Sequence, residues 1–174
     1  MTQKTITRAR LNSSETTVLL AIRRWRLTTV DLVDVKVAGP ESVRLSSALR
    51  QFMDLLRDTD PYVIQVKRED DEAITLFELQ LLYVISECRT GNTEATAEIL
   101  DWWFPVPLVA NARTLLTELT SVIETQSLDF HSSAWIRDCL LTITGNRIKP
   151  RNAVAQGNAA TSFGFWTHRS VTFH

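Results

Sequence analysis

The stretch that decides the fold is Asp70–Asn92, DDEAITLFELQLLYVISECRTGN. Acidic residues at its start and Arg89 near its end suit the dipole of a helix, and Gly91-Asn92 supplies a stop signal. One apolar stripe at helical spacing comprises Ile74, Phe77, Leu81, Val84 and Cys88, and further apolar cover comes from Leu76, Leu79, Leu82, Tyr83 and Ile85. A helix that is apolar on most sides is surrounded by other elements. The stretch therefore predicts a central helix.

Five further segments show helical periodicity. In each of them apolar residues recur at spacings of three and four, and polar capping residues or prolines mark the ends. Pro105 ends one of these helices, and Pro107 suits the first turn of the next, where its missing N–H costs nothing. The segments are Leu11–Leu27, Glu41–Asp58, Asn92–Phe104, Pro107–Ile123 and His131–Asn146. The sequence thus predicts a mainly α single domain of about six helices.

Two short stretches instead alternate with period two, as strands do. Val33, Val35 and Val37 form the first pattern, and Tyr62, Ile64 and Val66 form the second. Because a helix lies between them, the two could pair in parallel, although an antiparallel partner from elsewhere is equally open. We predict a minor two-stranded β element.

The composition changes at Asn146, which divides the chain into a helical domain at 1–145 and a C-terminal extension at 146–174. The extension begins as a small, polar spacer and ends in an aromatic tip, FGFWTHRSVTFH. In an extended segment Phe163, Phe165 and Phe173 share one face, and Trp166 lies on the other. We interpret these four residues as a C-terminal arm that binds a partner chain. The alternative, an edge strand folded back on its own domain, stays open.

Bulk properties favour an ordinary soluble, cytoplasmic protein. The chain has 174 residues, 44% of them apolar and 22% charged, and a formal net charge of −1, so no global field attracts nucleic acid or a membrane. The start of the chain lacks the apolar region of a secretory signal, and the longest apolar run is too short to span a bilayer. Cys88 and Cys139 both fall on apolar stripes, which indicates reduced core thiols.

The residues that enzymes need are not brought together by any motif. The five glycines lie at least seven residues apart, which excludes a phosphate-binding glycine loop. Neither cysteine belongs to a CxxC pair, and the Glu-x-x-His motif of di-metal bundles is absent. Asp138 precedes Cys139 and would raise the pKa of its thiol. We therefore predict a protein that is not an enzyme and has neither cofactor nor metal.

The aromatic triplet Trp102-Trp103-Phe104 is a candidate binding surface. Successive helical residues point about 100° apart, so the three rings cannot all face one narrow stripe. Trp103 shares the side of Ile99 and is predicted to point inward, whereas Trp102 lies on the polar flank and is predicted to be a surface anchor for a partner. The alternative is that the next helix covers all three rings.

An N-terminal cluster of arginines supports a second hypothesis. Arg8, Arg10, Arg23, Arg24 and Arg26 surround Trp25, and arginine with an interleaved aromatic residue is typical of nucleic-acid contacts. These arginines could equally pair with carboxylates of the same chain. The sequence contains no catalytic motif, its net charge is close to zero, and it has surplus aromatic residues. We therefore favour a non-enzymatic interaction or assembly subunit of a larger complex as the function. Its partner is another protein or a second copy, and a small nucleic-acid-binding regulator is the alternative.

Overall fold

In the part of the chain that the structure describes, six α-helices form a bundle, as the periodicity predicts. A computed structural model describes residues 6–28, 40–131 and 133–144. The helices are α1 (Ser13–Thr28), α2 (Pro40–Thr59), α3 (Leu76–Arg89), α4 (Thr93–Trp103), α5 (Val106–Thr125) and α6 (Ser133–Thr144), and a 3₁₀ turn covers Arg8–Arg10. Within these described residues the protein is mainly helical and contains no strand.

The central position of α3 is confirmed. This helix packs against α1, α4, α5 and α6, while α2 packs against α1 and α5. Every residue from Phe77 to Glu87 is buried, which is the environment that a helix apolar on most sides requires. The bundle is therefore built around α3.

The start of α3 differs from the prediction, because the helix begins at Leu76 and not at Asp70. Thr75 and Glu78 form a capping box, in which the Glu78 N–H donates to Thr75 Oγ1 (3.0 Å) and the Thr75 N–H donates to Glu78 Oε2 (2.9 Å). Just before it, the Ala73 N–H donates to Asp71 Oδ1 (2.8 Å). This local bond holds the acidic residues in a turn, so they lie outside the helix.

The strand predicted for Tyr62–Val66 is wrong. The segment follows α2 as a turn and then an irregular stretch. The Tyr62 N–H donates to Asp60 Oδ1 (3.0 Å), and the Val66 carbonyl accepts from Arg26 Nη1 (2.9 Å). Side chains thus satisfy backbone groups that a strand would give to a ladder. The other predicted strand, at 33–37, lies outside the described residues, as does the predicted extension at 146–174.

The N-terminal segment contacts the turn before α3 through its backbone. Thr7 and Ala73 form an isolated antiparallel bridge. Next to it, the Arg8 N–H donates to the Glu72 carbonyl (2.8 Å) and the Ile74 N–H donates to the Ile6 carbonyl (3.0 Å). This short pairing fixes the N-terminal segment beside the start of the central helix.

Candidate functional site

The structure divides the aromatic triplet between the core and the surface. Trp103 and Phe104 are 2% and 3% exposed, whereas Trp102 is 38% exposed. The Trp103 ring lies 5.7 Å from the ring of Phe77, and the Phe104 ring lies 5.8 Å from the ring of Phe52 in an edge-on arrangement. The inward prediction for Trp103 is confirmed, and Phe104 is buried beside it, with the two rings packed against rings of α3 and α2.

A rigid elbow connects α4 to α5. Phe104 ends α4 in an extended conformation, and its N–H donates to the Leu100 carbonyl (2.8 Å). Pro105 then caps α5, and its carbonyl accepts from the Leu108 N–H (2.8 Å). Pro107 lies in the first turn of α5, where the fixed φ of proline suits the helix. The two prolines leave this turn little conformational freedom.

The outer side of this elbow is apolar and uncharged. Val106 is 87% exposed, and Pro105 and Pro107 are also exposed. From Trp102 to Ala112 the sequence has no charged residue. We call Trp102, Pro105, Val106 and Pro107 the elbow surface. An exposed tryptophan and valine on a rigid, uncharged turn have the composition of a protein-binding surface.

Most of the N-terminal arginines bind the segment that leads into α3. Arg8 pairs with Glu72 at 2.7 Å, Arg24 pairs with Glu69, and Arg26 donates to a backbone carbonyl. The hydrogen bonds that Arg24 donates to the Glu69 carboxylate, together with the charge of that carboxylate, raise the pKa of the Arg24 guanidinium. Arg8 and Arg24 therefore pair with carboxylates of the same chain, which is the alternative that the sequence left open, while Arg26 binds a backbone carbonyl.

Arg23 is enclosed by the protein. Its side chain is fully buried and its guanidinium contacts the Glu78 carboxylate, with Nε–Oε1 at 2.9 Å and Nη2–Oε2 at 3.1 Å. It also donates to the carbonyls of Asp71 and Ala73. A nucleic acid at the surface cannot reach this guanidinium, so Arg23 does not belong to a nucleic-acid contact in this fold.

The tryptophan among these arginines is also covered. Trp25 is 8% exposed, and its Nε1 donates to Asp54 Oδ1 (3.0 Å). The guanidinium of Arg57 lies over its ring, 6.0 Å from the centroid. A base would have to displace Arg57 to stack on this indole. Of the five arginines, Arg10, Arg24 and Arg26 are exposed at the surface, and the Arg24 side chain is 60% exposed.

A second buried carboxylate, Glu15, holds the loop before α6. Its oxygens accept from the Asn12 N–H (3.0 Å) and the His131 N–H (2.8 Å), and His131 Nδ1 lies 2.7 Å away. The His131 ring stacks on Trp135 at 4.3 Å. Through these contacts the Glu15 carboxylate connects α1 to the loop before α6.

The two cysteines are free thiols, as predicted. Cys139 is buried, and burial raises the pKa of its thiol, with Asp138 acting in the same direction. Cys88 is half-buried, and its Sγ lies 3.7 Å from Thr120 Oγ1. Across the described residues, no group of three potential metal ligands comes together.

Sequence reasoning missed two features that the structure shows. Val106 lies just before the helix predicted for Pro107–Ile123 and was given no role, although the uncharged run around it was a signal of an exposed apolar surface. Arg23 and Glu78 are 55 positions apart in the sequence, and no local sequence pattern predicts that they pair. The arm residues Phe163, Phe165, Trp166 and Phe173 lie outside the described residues.

Comparison of the chain with protein-family models, curated proteins and solved structures gives no match. None of the helices within the described ranges has both the length and the apolar character to cross a membrane. The surface of the bundle is therefore the feature from which a function can be inferred.

Proposed function

We propose that this chain is a non-enzymatic interaction or assembly subunit that binds a protein partner through the elbow surface. The observation that supports the proposal is the exposure of Val106, 87%, within an uncharged apolar run on a rigid turn. The C-terminal arm, with Phe163, Phe165, Trp166 and Phe173, provides a second contact with the same partner.

The chemistry of the elbow surface favours an apolar cleft on the partner. Pro105 and Pro107 have no backbone N–H, so covering them leaves few donors without a hydrogen bond. Trp102 offers a large ring at the edge of the same surface, and tryptophan is enriched among residues that dominate binding energy. The rigid turn also loses little conformational entropy when it binds.

The proposal is tested by Val106→Asp in the full-length chain. A carboxylate at this position would be desolvated without a partner in the complex, so we expect affinity to fall by at least about tenfold. The matched control is Val43→Asp, because Val43 is also apolar and 54% exposed but lies at the start of α2. Native mass spectrometry of complexes from the source, followed by titration of the identified partner, gives both affinities. Equal binding by the two variants would contradict the proposal.

The alternative function, a small nucleic-acid-binding regulator, receives less support. Its remaining contacts would be Arg10, Arg24 and Arg26, of which Arg24 is already paired with Glu69 and Arg26 already donates to the Val66 carbonyl. Three phosphate contacts at most predict weak binding with a shallow dependence on salt. Fluorescence anisotropy with labelled DNA and RNA distinguishes the alternatives: saturable binding that Arg10→Gln and Arg24→Gln weaken together would favour the nucleic-acid function.

A further inference from the structure

A solvent-open cavity of about 280 Å³ lies between the end of α3, the start of α4 and one face of α5. Its α5 wall contains Arg113, Thr117, Thr120 and Glu124, which recur at spacings of three and four and so share one side of the helix. The opposite wall includes Thr96. The volume is close to the lower end of the range for small-molecule sites, roughly 300–1,000 Å³.

The threonines in this cavity present acceptor oxygens. The hydroxyl protons are already used within the helices: Thr96 donates to the Asn92 carbonyl (2.8 Å), and Thr117 and Thr120 donate to the carbonyls of Arg113 and Thr117 (both 2.9 Å). Each hydroxyl oxygen retains at least one lone pair for a further bond, although one lone pair of Thr120 already faces Cys88 Sγ at 3.7 Å. The middle of the cavity is thus suited to a ligand that brings N–H or O–H donors.

The two ends of the α5 wall have opposite charges. Arg113 and Glu124 are both exposed, and within the described residues neither makes an ion pair. They lie eleven residues apart, about 16 Å along a helix that rises 1.5 Å per residue. A ligand that satisfies both ends therefore carries a carboxylate and an ammonium group with donors between them.

We propose that this cavity binds a free peptide of two or three residues, with its carboxylate at Arg113 and its ammonium group at Glu124. An extended peptide covers about 3.3–3.6 Å per residue, and the long arginine and glutamate side chains span the remaining distance. The peptide N–H groups face the acceptor oxygens of Thr117 and Thr120. The binding site is separate from the elbow surface, which lies at the other end of α4, and so it goes beyond the proposed interaction function.

The test uses dialanine and trialanine as probes and the full-length protein. Cys88 lines the cavity, so bound peptide should slow alkylation of its thiol, whereas Cys139 is buried and serves as an internal reference. Peptide mapping by mass spectrometry follows the two cysteines separately, and isothermal titration gives the affinity. We expect saturable binding and protection of Cys88 at the same peptide concentration.

Peptides with one blocked terminus, combined with single substitutions, show which side chain binds the carboxylate of the peptide and which binds its ammonium group. Arg113→Gln should weaken free dialanine by about tenfold or more, the effect of losing a charge-assisted bond, and should leave a C-terminally amidated peptide unaffected. Glu124→Gln should show the same pattern with an N-acetylated peptide. Arg50→Gln on α2 and Glu118→Gln, exposed residues outside the cavity lining, are the matched controls.

A further variant, Ser121→Trp, tests whether the peptide binds in the cavity itself. Ser121 is exposed and lines the cavity, so a large ring at this position fills the space without entering the core. It should abolish binding of every peptide while the melting temperature stays near that of the parent. The proposal is overturned if neither probe binds, if Ser121→Trp binds as the parent does, or if Arg113→Gln and Glu124→Gln weaken the free peptide no more than the matching blocked peptide.

Discussion

At the scale of single residues, the ion pair between Arg23 and Glu78 decides how the chain enters α3. Both side chains are fully buried. The Glu78 carboxylate accepts from the guanidinium and also from the N–H groups of Lys67 (3.1 Å) and Thr75 (2.9 Å). One carboxylate thus joins α1, the preceding segment and the N-terminus of α3. Removing either partner leaves a buried charge without compensation.

We expect Arg23→Met to lower the free energy of unfolding by about 3–5 kcal/mol, the usual cost of breaking a buried pair. Urea denaturation measures the change. The control is Arg24→Met on the same helix, whose pair with Glu69 is largely exposed and should contribute only about 0–1 kcal/mol. Similar losses in the two variants would show that the buried pair has no special role.

Glu98 is a residue whose charge should weaken the fold. Burial raises the pKa of this carboxyl, and the nearby charge of Glu94 adds to the effect. A raised pKa means that the folded state holds the proton more tightly than the unfolded state, so stability declines as the pH rises through the folded pKa. The ionised form of Glu98 is therefore unfavourable at neutral pH.

Glu98→Gln should raise the melting temperature at pH 7, and the difference from the parent should vanish at a pH below the ordinary carboxyl value of about 4.3. Thermal unfolding across this range tests the expectation. Glu118→Gln, an exposed substitution on α5, should show no comparable gain. A gain for Glu98→Gln that persists at low pH would point to a cause other than charge.

At the scale of the helices, α3 carries most of the packing. Leu81 is fully buried in the middle of this helix. We expect Leu81→Ala to cost about 2–5 kcal/mol, from lost burial and the cavity left behind. Leu76→Ala at the start of the same helix is the control, because Leu76 is 36% exposed and should change stability much less. An unchanged midpoint for Leu81→Ala would contradict the central role of α3.

Helical periodicity predicted the six helices well because their apolar stripes face a shared core. The segment before α3 could not be predicted in the same way. The alternation of Tyr62, Ile64 and Val66 favours a strand locally, but a strand needs a ladder, and Arg26 and Thr75 bind the carbonyls instead. Those bonds depend on how distant elements pack, which no local pattern reveals.

The sequence predicts only part of the geometry of the elbow surface. The inward direction of Trp103 follows from helix geometry alone. The exposure of Val106 depends on how α5 is turned about its own axis after the elbow, and packing of α5 against α2, α3 and α4 sets that rotation. The apolar character of Val106, the first residue of α5, therefore does not predict whether its side chain faces the core or the solvent.

At the scale of the whole molecule, the described residues already form a continuous core. Buried apolar side chains run from Ile6 at the N-terminal segment to Leu140 in α6. The buried carboxylates of Glu15 and Glu78 connect the outer segments to this core. The described residues thus include the core, the caps and the buried pairs that a folded domain needs.

We therefore expect a chain that ends after Gly145 to melt within a few degrees of the full-length protein, since a lost contact of under about 1 kcal/mol shifts the midpoint only slightly. The same truncation should remove the arm with Phe163, Phe165 and Phe173 and weaken binding of the partner. A full-length variant with these three residues changed to serine is the control, because it keeps the spacer and should bind as poorly as the truncated chain. Circular dichroism gives the midpoint and titration of the partner gives the affinity. If the truncated chain unfolds or precipitates, the aromatic residues belong to the core of their own domain, and partner binding must be attributed to the elbow surface alone.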